Sequence, residues 1–129
     1  VEQYLPVNIV KELHARGCTD GNTITVRKDK YVAMSGTLMH EFTHYLNHFG
    51  ENTKSQNQEE VEAEIGAMLY GSYFNLDISG KYKYIALWKS KDVRLNEAFD
   101  VALSSFEELL YGSMDKRGLI DLIEGKEEE

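Results

Sequence analysis

The sequence is short of the residues that break, cross-link or anchor a chain. It contains one proline, Pro6, and one cysteine, Cys18. A single cysteine cannot form an internal disulfide, which fits a reducing compartment, and no second cysteine supports a metal-ligand or nucleophile role for Cys18. No apolar run approaches the roughly 18 residues of a membrane-spanning helix, and the N-terminus lacks the features of a secretory signal. These absences predict a cytoplasmic protein that is rich in helices and does not contact membranes.

Positive charge is also scarce. The chain has 22 acidic residues against 14 basic ones, for a net charge of −8. A domain that binds duplex nucleic acid usually carries a basic face. The local stretch KYKYIALWKSK, residues 81–91, is explained more simply by lysines on the wet face of a short helix. We therefore expect that this domain binds no nucleic acid directly.

The length and composition predict one domain with a single core. The chain has 129 residues, of which 42% are hydrophobic. We assign residues 1–125 to that domain and expect the acidic tail, residues 126–129, to be a frayed end. The chain begins at Val1 without a methionine, which is compatible with a piece of a longer, multidomain protein.

Hydrophobic periodicity predicts an α+β fold that is mostly helical. Ile24 and Val26 alternate with polar residues and indicate a strand, which pairs with residues 30–34 in a small antiparallel hairpin near the N-terminus. A first helix is predicted from an N-cap at Asn8 to a C-cap at Gly17. Two long helices are predicted at 35–49, capped by Ser35 and with Phe49 on its apolar stripe, and at 58–75. A short helix is predicted within 79–90, a last main helix at 93–112, capped by Asp92 and with Phe99 on its stripe, and a final turn at 119–123.

The segment LMHEFTHYL, residues 38–46, contains the candidate metal ligands and the candidate catalytic base. His40 and His44 lie four residues apart, so on a helix they point the same way, one turn apart. Their ring nitrogens can meet one tetrahedral Zn²⁺ at about 2.0–2.1 Å. The carboxylate of Glu41 can then take a proton from a metal-bound water and deliver it to a leaving amine, as in H-E-x-x-H sites. The alternative interpretation is a surface helix with scattered histidines.

A catalytic zinc needs a third protein ligand, and the following helix offers one. The loop between the two helices is short, so they should pack as an antiparallel pair. His44 then faces about the fifth residue of the second helix, a level that Glu60 and Glu64 bracket. Glu60 is the predicted third ligand. Glu64 is predicted to accept the outward N–H of a ligating histidine and so to fix its ring.

Other assignments remain open for these side chains. Asn57-x-x-Glu60 also fits a capping box, in which Glu60 bonds to the backbone. Glu59 and Glu62 are rival ligands that a small rotation of the helix would favour. His48 lies about 12 Å from His40 along a straight helix, so we interpret it as a surface or rim residue. We interpret His14, in the predicted first helix, as structural.

The segments TLMHEFTHYLNH and EEVEAEIGAML, with YIALW further along, resemble the C-terminal metallopeptidase domain of ArdC-type antirestriction proteins. They are similar, more loosely, to ImmA/IrrE peptidases. The resemblance covers roughly residues 30–110 and implies a zincin-like fold, with the H-E-x-x-H helix packed on a second long helix. It implies that Glu60 is a ligand and Glu41 the base. The spacing from Glu60 to Glu64 also resembles the ligand and supporting acid of thermolysin-like enzymes.

The chain departs from that family in three ways. It lacks the N-terminal domain that binds single-stranded DNA, it has Thr43 where glycine or alanine is frequent, and it has Lys81 and Lys83 where a histidine often precedes the aromatic segment. Tyr82 or Tyr84 could donate a hydrogen bond to a developing oxyanion. The sequence thus predicts a zinc-dependent metallopeptidase that acts on a protein or peptide. The alternative is a metal-binding antirestriction or interaction module of a mobile element that cuts nothing.

Overall fold

A computed structural model of the chain describes residues 3–4, 7–50, 53–76, 90, 92–111 and 114–115. Within these ranges the fold is α+β and mostly helical, as the periodicity predicted, with three helices and a three-stranded sheet near the N-terminus. A separate pair of two-residue strands joins the two ends of the described chain. The elements are β1 (Gln3–Tyr4), β2 (Val7–Val10), β3 (Gly17–Thr19), β4 (Ile24–Arg27), α1 (Tyr31–Asn47), α2 (Gln56–Tyr73), α3 (Leu95–Tyr111) and β5 (Met114–Asp115).

The central strand of the sheet is β4. The alternation of apolar and polar residues, which predicted this strand, also determines which of its faces is buried. Ile24 and Val26 are fully buried, whereas Thr25 and Arg27 are half-buried. Strand β2 pairs with β4 in parallel and β3 pairs with it in antiparallel, so β3 is an edge strand. The sheet therefore contains an antiparallel hairpin near the N-terminus, but β3 and β4 form it, and the predicted pairing of β4 with residues 30–34 is wrong.

Two predictions for the N-terminal third are wrong. The segment predicted as a first helix contains strand β2 instead, since its β-branched residues pair along β4 and this pairing outweighs a weak helical pattern. His14, predicted to be a structural residue of that helix, is exposed in the connection that follows. The predicted second strand is the first turn of α1, because Met34 lies one turn before Leu38 and continues its buried face.

The helix ends also differ from the predicted ones. Ser35 lies inside α1 and is buried, and the N-cap position is Lys30. Helix α2 begins two residues earlier than predicted, because the hydroxyl of Ser55 accepts a hydrogen bond from the N–H of Gln58. Phe49 and Phe99, predicted on apolar stripes, are about half exposed, at 45% and 49%.

Helices α1 and α2 pack along each other as the predicted pair, and α3 packs against both. The main core lies between α1, the buried face of β4, and the ends of α2 and α3. A second apolar cluster joins α2 to α3 through Val61, Ile65, Ala98 and Ala102. This packing fixes one face of α2 against the histidine-bearing face of α1. In the described part of the chain, no helix has the length and apolar character needed to cross a membrane.

Several predictions fall on residues outside the described ranges. They are the short helix within 79–90 apart from Ser90, the lysines at 81 and 83, the tyrosines at 82 and 84, the turn at 119–123 and the acidic tail at 126–129.

Candidate metal centre

The two histidines of the motif lie in the C-terminal half of α1 and converge on one point. His40 and His44 are separated by one helical turn, and their Nε2 atoms lie 3.2 Å apart. Their side chains are 16% and 14% exposed, so both rings are largely shielded but still reachable from solvent. The convergence follows from the local sequence alone, since positions four apart share a helix face.

Helix α2 brings a carboxylate to the same point. Glu60 Oε2 lies 3.3 Å from His40 Nε2, and Glu60 Oε1 lies 3.3 Å from His44 Nε2. The three side chains form a group whose potential ligand atoms all lie within 4.8 Å of one another, so they could hold a metal ion. The capping-box alternative for Glu60 is wrong, because Ser55 caps α2 and Glu60 instead faces the histidines. Glu59 does not belong to this group.

Glu64 lies one turn further along α2 and contacts the other side of His40. Its Oε2 is 3.2 Å from His40 Nδ1, while His40 Nε2 faces Glu60. A carboxylate at Nδ1 favours a proton on that nitrogen and leaves the lone pair of Nε2 directed at the cluster. The buried Glu64 side chain therefore orients His40 as a potential ligand.

The electrostatics of the cluster favour positive charge. Burial lowers the pKa of His40, but hydrogen bonds to Glu60 and Glu64 outweigh it and raise that pKa to about 9. Hydrogen bonds from His40 and His44 hold the pKa of Glu60 well below its usual range. At neutral pH the cluster therefore carries a carboxylate and attracts a cation, either a proton on His40 or a metal ion in its place.

Glu41 lies beside the cluster and lines its open side. It is 9% exposed, and this burial raises its pKa, an effect that the neighbouring imidazoles partly oppose. A cavity of about 310 Å³ reaches His40, Glu41, Glu60 and Glu64 from the side of β3. A carboxylate with a raised pKa next to a potential metal site is a stronger base than an exposed one. Its burial and its location at the cavity wall make Glu41 the candidate for a general base.

Two glycines set the distances around the centre. Gly66 of α2 packs so closely on α1 that a Cβ there would lie 2.5 Å from Thr43 Oγ1. Gly17 of β3 packs on the other side of α1, and a Cβ there would lie 2.6 Å from Thr37 Cγ2 and 3.2 Å from Glu41 Cγ. A side chain at either position would therefore force a shift, either of these side chains on α1 or of the element that carries the glycine.

The surroundings of His44 differ from those that the sequence predicted. His48, interpreted as a surface or rim residue, has a side chain only 3% exposed and lies between His44 and Glu62. Glu62, a rival metal ligand, is fully buried and contacts His48 instead of the cluster. Burial raises the pKa of Glu62, but hydrogen bonds from His48, Lys54 and Gln58 outweigh it and keep that pKa below its usual value. The four-residue spacing from His44 to His48 was the signal that pointed to this contact.

Comparisons of the chain with protein-family models, with curated proteins and with solved structures found no match. The resemblance to the metallopeptidase domain of ArdC-type proteins is thus a likeness of short motifs, and what it implies stays a prediction. The geometry of His40, His44, Glu60, Glu64 and Glu41 is the basis for any statement about function.

Proposed function

We propose that this chain is a zinc-dependent metallopeptidase with a zincin-like arrangement of its two central helices. The observation that carries the proposal is the three-donor cluster of His40, His44 and Glu60 with Glu41 beside it at the wall of an open cavity. Two imidazoles and one carboxylate are a donor set of catalytic zinc sites, which leave one position open. A metal site with a purely structural role does not need a buried carboxylate beside an open coordination position.

The residues of the cluster fit zinc, and each has a separate task. Bound zinc would supply Lewis acidity, which polarises a peptide carbonyl and makes water easier to deprotonate. His40, His44 and Glu60 would hold the ion, and Glu64 keeps the ring of His40 turned toward it. Glu41 takes the proton from the attacking water and passes it to the nitrogen of the leaving amine. The carboxylate of Glu41 thereby returns to its ionised form.

The edge strand supports a peptide as the substrate. One side of β3 pairs with β4, and no described strand pairs with its other side. Residues of β3 also line a second cavity, of about 380 Å³, together with His40, Glu41 and His44. An extended peptide can add to such an edge through main-chain hydrogen bonds. It would then run past Glu41, because Gly17 lets β3 lie directly against that side chain.

The test separates metal binding from cleavage. The wild-type protein and its Glu41→Gln variant are purified without added metal, and their zinc content is measured by atomic emission. We expect about one zinc per chain in both, since Glu41 is not a ligand. The zinc-loaded proteins are then incubated with proteins of the same cell, and new N-termini are identified by mass spectrometry.

Glu41→Gln should lower the rate of cleavage by at least about 10²-fold, the lower range for loss of a general base. Glu97→Gln makes the same change of charge at an exposed site of α3 and should cleave like the wild type. Equal backgrounds from wild type and Glu41→Gln, with zinc bound in both, would favour the antirestriction or interaction module. Cleavage of a true substrate by Glu41→Gln at the wild-type rate would refute the assigned base.

A further inference from the structure

A line of side chains leads from His44 into the protein interior. His44 Nδ1 lies 2.6 Å from His48 Nδ1, and His48 Nε2 lies 2.6 Å from Glu62 Oε1. The rings of His44 and His48 meet edge to face, with centroids 4.8 Å apart. The side chains of His48 and Glu62 are 3% and 0% exposed. Bulk water therefore competes little for these hydrogen bonds, and burying a carboxylate without such partners would be costly.

The neighbours of Glu62 fix it as a hydrogen-bond acceptor. Lys54 Nζ lies 2.9 Å from Glu62 Oε1, and the amide nitrogen of Gln58 donates to Glu62 Oε2 at 3.0 Å. The Gln58 amide has a defined orientation, because its oxygen accepts the N–H of Arg94 at 2.7 Å. Its nitrogen must then face Glu62. With donors on both oxygens, Glu62 is an ionised acceptor, and His48 must offer it an N–H.

These contacts fix the protons on both rings. When a metal ion takes the place of the proton between His44 Nε2 and Glu60, each imidazole carries one proton: that of His48 lies on Nε2, facing Glu62, and its Nδ1 is an acceptor. His44 must then carry its proton on Nδ1, to donate to His48. The Nε2 of His44 is left with a free lone pair, and this is the atom that faces Glu60 and His40.

We propose that His48 and Glu62 are positioning residues for the metal: they hold His44 in the tautomer and ring orientation in which Nε2 can bind the ion. The proposal rests on the proposed metal site and adds residues that the H-E-x-x-H motif does not contain. His44 thereby receives, through His48, the support that His40 receives directly from Glu64. His48 bridges the two residues because Glu62 contacts His48, the C-cap residue of α1, four residues beyond His44.

The test measures zinc affinity, by competition with a chromophoric chelator, together with the melting temperature of the metal-free protein. His48→Phe keeps a ring of similar size but cannot accept from His44, and Glu62→Gln keeps the shape but not the charge. Each should weaken zinc binding by about 10- to 100-fold, the usual effect of removing a partner behind a metal ligand. His48→Asn, whose carbonyl oxygen can still accept from His44 Nδ1, should recover part of the affinity. Glu97→Gln is the control for charge.

Because the two residues act in series, the His48→Phe/Glu62→Gln double variant should lose no more affinity than the weaker-binding single variant. A long-range ¹H–¹⁵N spectrum of the zinc-loaded protein should find the proton of His44 on Nδ1 and that of His48 on Nε2. Wild-type affinity in both single variants, or additive losses without recovery in His48→Asn, would overturn the positioning role alone. A wild-type protein that binds no zinc would overturn the metal site and the proposed function as well.

Discussion

Adding a single Cβ atom at Gly66 tests whether the close approach of α1 and α2 sets the position of Glu60. Gly66→Ala adds a Cβ that would lie 2.5 Å from Thr43 Oγ1 and 3.5 Å from Met39 Cε. Thr43 cannot easily make room, because its side chain is fully buried and its hydroxyl donates to the carbonyl of Met39 at 3.0 Å. The new methyl group must therefore push α2 away from α1. Glu60 moves with α2, and His40 and His44 stay with α1.

The magnitudes follow from this contact. Relief of the clash requires a separation of roughly 1 Å to restore normal van der Waals contact. Metal sites tolerate departures of only about 0.2 Å in ligand distance, so zinc affinity should fall about 10- to 100-fold. Alanine improves helix propensity by about 1 kcal/mol, whereas overpacking costs about 1–3 kcal/mol. The metal-free protein should thus lose only about 0–2 kcal/mol of stability.

A second substitution makes the test specific. Thr43→Ala removes the clashing hydroxyl, and the remaining Thr43 Cβ position lies 3.6 Å from the new methyl group, an ordinary contact. The Gly66→Ala/Thr43→Ala double variant should therefore recover most of the zinc affinity that Gly66→Ala loses. Affinity is measured by chelator competition and stability by urea denaturation. Wild-type zinc affinity in Gly66→Ala, or no recovery in the double variant, would show that this contact does not set the position of Glu60.

Three further predictions concern the ligands and the edge strand. Glu60→Ala should weaken zinc binding by orders of magnitude in equilibrium dialysis and Glu59→Ala should not; equal losses would refute the ligand assignment. Zinc uptake at pH 7 should displace the proton that His40 holds at a pKa of about 9, so zinc affinity should rise as the pH rises toward 9. Calorimetry in buffers of different ionisation enthalpy measures this proton release, and zinc binding without proton release would contradict the site electrostatics. Gly17→Ala should displace β3 from Glu41 and slow peptide cleavage while leaving zinc affinity unchanged; unaltered cleavage would argue against the edge strand as the substrate site.

The helices of the fold could be predicted because their signals are local. The apolar face of α1 repeats every three to four residues, and this period sufficed to place a helix around Leu38 and Phe42. Strand β2 could not be predicted in the same way, since its partner β4 is remote in sequence and the pairing is parallel. The same long-range pairing placed Gly17 in an edge strand instead of at a helix end.

The sequence by itself determined that His40 and His44 share a face and that Glu41 follows beside them, because a helix repeats every 3.6 residues wherever it lies. Only the tertiary structure decided which acid of α2 meets them. Glu59, Glu60, Glu62 and Glu64 lie within six residues of one another, and a small rotation of α2 would exchange their environments. In the observed packing, with Gly66 against Thr43, α2 directs Glu60 to both histidines and Glu64 to His40, and it buries Glu62 where it contacts His48.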